Sequence, residues 1–224
     1  MEVINLAIVD DHILFRRTLV HYLSEQKNLR ISVQASETLE LLHKLKANPV
    51  EILLMDISLP PLDGVDALQI IRYEYPDMKI LVLSMCNDLD LISNLLDLGI
   101  HGFISKGDEP EDLVNAITAI SENKIYHTRL FTEALFRSKQ QHNRNDNHKQ
   151  VTLNEREKKI LQLLWEEKSN KDIADELFLS IRSVEKIRQD MKDKIGVKST
   201  IGLIKFALQK QILETRRTNS NVKM

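Results

Sequence analysis

The sequence predicts an α/β domain, a doubly wound five-stranded parallel sheet, joined to a second, all-α domain. Two observations predict it: short runs of Val, Ile and Leu alternate with amphipathic stretches up to Tyr126, and from Val151 onward only helical spacing is left. The strand-like runs are Ile4 to Val9, Ile31 to Ala35, Ile52 to Met55, Ile80 to Ser84 and Gly102 to Ile104. They are nearly continuous in apolar residues, as strands buried on both faces are. Between and after them, Ile13 to Glu25, Leu39 to Lys46, Val65 to Tyr75, Leu89 to Leu98 and Glu111 to Glu122 carry apolar residues at helical spacing. Ser36, Asp88 and Asp108, the last followed by Pro110, are the expected helix starts. Five β-then-α units of this kind make a parallel sheet with helices on both faces. Its functional crevice lies at the carboxyl ends of the strands.

After Tyr126 the pattern changes. Leu130 to Arg137 fits one short helix, and Ser138 to Gln150 is polar with almost nothing to bury, so residues 129–150 read as a linker. Beyond it, Thr152 is the expected cap of a helix with the apolar stripe Ile160, Leu161, Leu163 and Leu164, followed by two shorter helices and a final one. The chain thus divides into 1–128, a linker over 129–150, and 151–224.

Composition narrows the class. Hydrophobic residues make up 42% and charged residues 29% of the 224, ordinary for a soluble globular protein, and no apolar run approaches the roughly 18 residues of a membrane span. Val3 to Val9 lacks the basic flank and small-residue cleavage site of a secretory signal, so a cytoplasmic protein is expected. Cys86 is the single cysteine, which excludes an internal disulfide and a cysteine-rich metal site; it reads as a small filler after a strand. The net charge of −2 hides an asymmetry: residues 1–128 carry about −10, residues 129–150 about +3 and residues 151–224 about +5. An acidic half concentrates cations, and a basic half suits phosphate backbones.

The ends of the first, third, fourth and fifth strands bring Asp10 with Asp11, Asp56, Ser84 and Lys106 to one edge of the sheet. Singly, such residues usually cap a turn or face water. Together they form a chemical kit. Three carboxylates in one cleft repel unless a cation joins them, and Mg²⁺ prefers a few carboxylate oxygens, waters and a phosphate oxygen. Lys106 and the Ser84 hydroxyl suit the remaining oxygens of a transferring phosphoryl group, with Asp56 as the nucleophile.

Asp10-Asp11, Leu54-Met-Asp56-Ile-Ser-Leu-Pro60 with Asp63-Gly64, Leu81-Val-Leu-Ser84-Met and Gly99-Ile-His-Gly-Phe103-Ile-Ser-Lys106 resemble the receiver domain of two-component response regulators. The resemblance covers about the first 125 residues and implies a flavodoxin-like fold. It also implies roles: Asp10, Asp11, Asp56 and the main-chain carbonyl of Ser58 hold Mg²⁺, Asp56 is phosphorylated by a sensor histidine kinase, Lys106 and Ser84 contact the phosphoryl oxygens, and Phe103 takes the aromatic switch position. Three departures stand out: Pro60 beside Pro61 after the acceptor, Ile100 in place of a small residue, and Gly107 where proline is common. Ser58 and Cys86 flank the pocket and bear on phosphate lifetime.

In the helical half, Ser169 to Leu177, a short turn at Phe178-Leu-Ser180, and Ile181 to Lys192 fit a helix-turn-helix. Ile173, Ala174 and Leu177 face inward on the first helix, as do Val184, Ile187 and Met191 on the second. Such spacing also occurs in ordinary helical hairpins. Leu153-Asn-Glu-Arg156-Glu157, Lys171 to Ser180, Ser183-Val184 and Lys194-Ile-Gly-Val-Lys-Ser199 together resemble the LuxR-type DNA-binding domain of the NarL/FixJ response regulators, over most of 151–210. The resemblance implies a homodimer that places Ile181 to about Lys194 in the major groove of double-stranded DNA, with the last helix, Thr200 to Leu213, at the dimer contact. Carried over, Glu185, Lys186 and Gln189 are base-facing, and Lys171, Arg182, Arg188, Lys192 and Lys198 are phosphate contacts. Glu185 stands where a basic residue is common, Ile187 where histidine is, and Glu167 where glycine is. The operator therefore cannot be borrowed.

The reading is a phosphorylation-controlled transcription regulator, not an enzyme. An aspartyl phosphohydrolase on a similar sheet would leave the helix-turn-helix idle. A constitutively dimerising receiver would leave the acidic set idle.

Overall fold

The computed structural model describes residues 3–59, 64–126, 128–142 and 151–213. Strands β1 (Ile4–Val9), β2 (Leu29–Ala35), β3 (Ile52–Asp56), β4 (Lys79–Ser84) and β5 (Gly102–Ser105) form one all-parallel sheet in the order β2-β1-β3-β4-β5. Helices α1 (Ile13–Ser24), α2 (Thr38–Leu45), α3 (Gly64–Glu74), α4 (Leu89–Asp97) and α5 (Pro110–Ser121) cover it. The two-residue period of the strands sorts the core. Leu6, Ile8, Leu54 and Leu83 pack with Leu19 and Leu23 of α1 and with Ala116 and Ile117 of α5. Ala7, Val9, Met55 and Val82 pack on the opposite face with Leu41 of α2, Ile71 of α3 and Leu95 of α4.

Of the expected caps, Asp88 accepts from the Asp90 amide at 2.8 Å. Ser36 does not cap by accepting: its own amide and hydroxyl both donate to Glu40, at 2.7 and 2.8 Å, because the third residue of α2 folds back over the start of the helix. Asp108 instead accepts from the Ser105 amide and braces the turn, leaving Glu109 at the cap position of α5 ahead of Pro110.

The segment read as a linker begins with helix α6 (Arg129–His142), longer than expected, whose Phe131, Ala134 and Leu135 are fully buried. Pairs of residues from α6 meet α4 on one side and the C-terminal domain on the other, so this part of the segment packs into the core. The polar residues 143–150 lie outside the described residues, as do Pro60, Pro61 and Asp63.

The second domain consists of α7 (Glu155–Trp165), α8 (Asn170–Leu177), α9 (Ile181–Ile195) and α10 (Thr200–Gln209). Asn154, not Thr152, caps α7: its side chain accepts from the Glu157 amide at 2.8 Å while Glu157 accepts from the Asn154 amide at 2.7 Å. Lys194 of α9 reaches the same Glu157 at 3.0 Å and ties the two helices. Ser169 and Ser180 cap α8 and α9. The two domains touch through Lys205, 4% exposed on α10, whose Nζ lies 2.6 Å from Asp97 and 3.3 Å from the Ser93 hydroxyl of α4. The Phe136 and Trp165 rings add an edge contact at 6.4 Å between centroids.

Candidate functional site

The connections leaving β1 and β3 pass to opposite faces of the sheet, so the carboxyl ends of these neighbours open a crevice. Asp10 follows β1 and is fully buried; its Oδ1 accepts from the His12 amide at 2.8 Å. Asp56 closes β3 at 1% exposure, and its Oδ1 accepts from the Ser58 amide at 3.1 Å. Lys106, just past β5, places Nζ 2.7 Å from Asp56 Oδ2 and 2.8 Å from Asp10 Oδ2. Its ammonium also lies 4.6 Å from the centre of the Phe15 ring, which closes one side. Ser84 is buried at the end of β4; its Oγ accepts from the Cys86 amide at 2.9 Å, and its carbonyl accepts from the Lys106 amide at 2.8 Å. Sheet pairing of Asp56 with Leu83 and of Ser84 with Ser105 holds these ends level.

Asp10, Asp11, His12 and Asp56 each offer a ligand atom within 4.8 Å of the others. Buried Asp11 Oδ1 accepts no hydrogen bond, and Asp10 Oδ2 meets Lys106 as an ion pair without hydrogen-bond alignment. One lysine against three carboxylates leaves an excess of negative charge, which a hard divalent cation suits. The residues present therefore fit Mg²⁺. His12, whose Nδ1 stands 2.9 Å from Asp11, adds a nitrogen donor at the mouth. Its position directly after the acidic pair was the visible clue to it. Phe103 is 1% exposed inside the sheet core.

On the helical side, Arg182, Glu185, Lys186 and Gln189 are exposed on α9, Lys171 on α8 and Lys198 beyond α9, while Lys192 is half-buried. Arg188 turns inward: it is 7% exposed and donates to Asn170 of α8 and Thr200 of α10, so here it braces the domain instead of projecting outward. Burial pulls its guanidinium down to about 10 in pKa, against the opposing effect of Glu185. Burial and then Arg188 lower Lys192 as well. Glu185 and Gln189 line a cleft whose other wall is the first domain, including Arg72, Lys79 and Lys124. Among the described residues no helix is long and apolar enough to cross a membrane.

Comparisons with known proteins agree with both halves. The family described as response regulator receiver domain matches residues 6–118, and the family described as bacterial regulatory proteins, luxR family, matches residues 151–207. The chain is 30% identical over 215 residues to the oxygen regulatory protein NreC of Staphylococcus epidermidis, covering 93% of this chain and 99% of the relative. It is 31% identical over 214 residues to NreC of Staphylococcus aureus, with the same coverage. Among solved structures, the RcsB response regulator of Salmonella typhimurium aligns at a TM-score of 0.57 and 24% identity, covering 93% of this chain and 99% of that one, and carries the fold alone. An acidic crevice at the ends of β1 and β3, a helix-turn-helix behind it, and matches over both domains make this chain a member of the two-component response regulators, with a receiver domain and a LuxR-type DNA-binding domain, and hence a transcriptional regulator.

Proposed function

We propose that Asp56 is the phosphoacceptor, taking its phosphoryl group from a sensor histidine kinase, and that this step controls access of α9 to DNA. The observation that carries the reading is the Asp56 carboxylate itself: buried, oriented by the Ser58 amide, and held by Lys106 beside Asp10. An Asp56 oxygen attacks phosphorus, the bond to the donor histidine breaks, and its electron pair leaves with the imidazole. Asp10, Asp11, Asp56 and the Ser58 carbonyl would hold Mg²⁺, which supplies neutralisation of the phosphoryl oxygens. Lys106 and the Ser84 hydroxyl face those oxygens, and turning Ser84 inward draws Phe103 with it and reshapes the β4–β5 edge beside α4. The hydroxylamine-sensitive label left by a small phosphodonor is expected to vanish in Asp56→Asn with the fold intact; a label persisting elsewhere would overturn the assignment.

Glu185 and Gln189 line the cleft whose other wall is the receiver, so major-groove reading by both requires the domains to part. The opened protein binds as a homodimer in the cytoplasm, with Lys171, Arg182, Lys192 and Lys198 on phosphates and Lys186 and Gln189 on bases. Arg188 joins the phosphate contacts only if it leaves Asn170 and Thr200. RcsB has been seen bound to DNA and as dimers on DNA, which supports the arrangement by fold. Glu185 sets the specificity of this reading head, because an exposed carboxylate in the groove accepts from cytosine N4 and is repelled by phosphates. Selection from randomised DNA tests it: Glu185→Ala is expected to shift the preferred site, and an unchanged site would refute the role.

A further inference from the structure

The cleft between the domains has a charge imbalance. Lys79 and Lys124 on its receiver wall have carboxylate partners, Glu51 at 3.2 Å and Glu122 at 2.7 Å. Among the described residues Arg72 and Arg188 have no carboxylate at ion-pair distance, although Asp77 and Glu185 act on them from farther off. Arg72 is 6% exposed and donates to the carbonyls of Met78 and Gly99, both at 2.6 Å, to that of Pro76 at 3.3 Å and to His101 Nδ1 at 3.0 Å, every one a neutral acceptor. Its buried Nε has no partner. That atom faces the seam: a Cβ built on Gly99 would lie 3.7 Å from it and 3.2 Å from Lys198 Cβ of the other domain. The bonds of Arg188 to Asn170 and Thr200 are equally uncharged. Asp77, Glu185 and Asp193 also line the cleft, yet among the described residues none pairs with its cations; Asp193 accepts from Gln189 and Glu185 from Asn170.

Buried cations are normally paired, and this arrangement leaves two guanidiniums without a carboxylate in direct contact beside Lys192 and Lys198, with Asp77 acting on Arg72 and Glu185 on Arg188 only from a distance. Burial holds Arg72 and Arg188 down to about 10, and the His101 imidazole well below its ordinary value by burial and then by Arg72, Lys79, Lys192 and Arg188. The space of about 600 Å³ is that of a small-molecule site. Guanidinium and ammonium groups converging from two walls match the several oxygens of a phosphate.

We propose that this interdomain cleft binds a phosphorylated small molecule, whose phosphate oxygens supply the direct ion pairs that Arg72, Lys192 and Lys198 lack among the described residues, and that the bound ligand holds the domains together and opposes DNA binding. The ligand is either a free pyrophosphate-type anion or the diphosphate of a nucleotide. The test uses the full chain without Mg²⁺, with ionic strength held constant by NaCl. Calorimetry with inorganic pyrophosphate and with ADP is expected to show one saturable site, weakened roughly tenfold or more in Lys192→Gln/Lys198→Gln and unchanged in Lys171→Gln, which lies off the cleft. Tighter binding of ADP assigns the site to nucleotides, and tighter binding of pyrophosphate to the free anion. Saturating pyrophosphate is expected to lower DNA affinity roughly tenfold. Arg72→Gln, with Arg72→Lys as the milder variant, lowers that effect because it takes away the receiver wall's cation without a direct ion pair, while Lys79→Gln/Lys124→Gln, whose ammoniums already have carboxylate partners, leaves it in place. Heats no larger than those of matched NaCl would overturn the site. Undiminished competition in the Arg72 variants would overturn the locking role, because pyrophosphate would then be meeting the DNA face alone.

Discussion

Lys106 is the residue on which the acidic pocket balances. With Nζ within 2.8 Å of both Asp10 and Asp56, it is the fixed cation among three carboxylates. Lys106→Met leaves buried carboxylates unpaired and is expected to cost about 3 kcal/mol in urea unfolding without Mg²⁺. Mg²⁺ binding only the folded state should return part of that loss and should raise the wild-type stability by about 1.4 kcal/mol at tenfold over its dissociation constant. A variant whose midpoint ignored Mg²⁺ would sink the account of the pocket as a cation site. The pocket residues were readable because each follows an apolar strand that is plain in the sequence. Arg188 was misjudged although the helical period sets it four residues after Val184 and three before Met191, on the buried face of α9; the phosphate role carried over from the resemblance overrode that period, and only the structure supplied its partners Asn170 and Thr200.

At the scale of elements, two backbone positions decide how loops leave their helices. Glu167, after α7, has φ of 60°, a left-handed conformation that glycine adopts without strain. Glu167→Gly is expected to stabilise the protein by about 0.5 to 1 kcal/mol in thermal or urea unfolding. Gly64 opens α3 so close to β3's exit that an added Cβ would stand 1.9 Å from the Ile57 carbonyl oxygen. Gly64→Ala is expected to cost about 3 kcal/mol and to slow labelling at Asp56, because the clash is with backbone next to the proposed acceptor and nothing flexible can yield. Element identity was legible from apolar periodicity throughout the sheet. Cap identity was not: Ser36 and Asp108 had the right chemistry, but Glu40 and the Ser105 amide used it differently. Ile100 shows the same limit, for what looked like a departure is a fully buried side chain filling the core.

For the whole molecule, the contact of α10 with α4 joins the two domains, and the proposed function makes it a restraint that keeps α9 against the receiver. Lys205 is a lone cation in an apolar helix, and its reach to Asp97 and Ser93 holds the closed arrangement. Asp97→Ala leaves that buried ammonium without its carboxylate, which should shift the population toward the open form. Expected is a rise of roughly three- to tenfold in DNA affinity of the unphosphorylated protein, and a smaller further gain from phosphodonor. Fluorescence anisotropy at a fixed salt concentration measures both; an unchanged affinity would show that this contact does not restrain the reading head.

By itself the sequence determined the five β-then-α units, the helical second domain, and the acidic residues at the strand ends, because periodicity and motif spacing are local properties. Only the tertiary structure decided that the helix at the start of the expected linker is buried, that Asn170 and Thr200 hold Arg188, and that Arg72, Lys192 and Lys198 meet across one cleft. Those are relations between segments far apart in the chain, and their energies depend on desolvation and packing that no local pattern records.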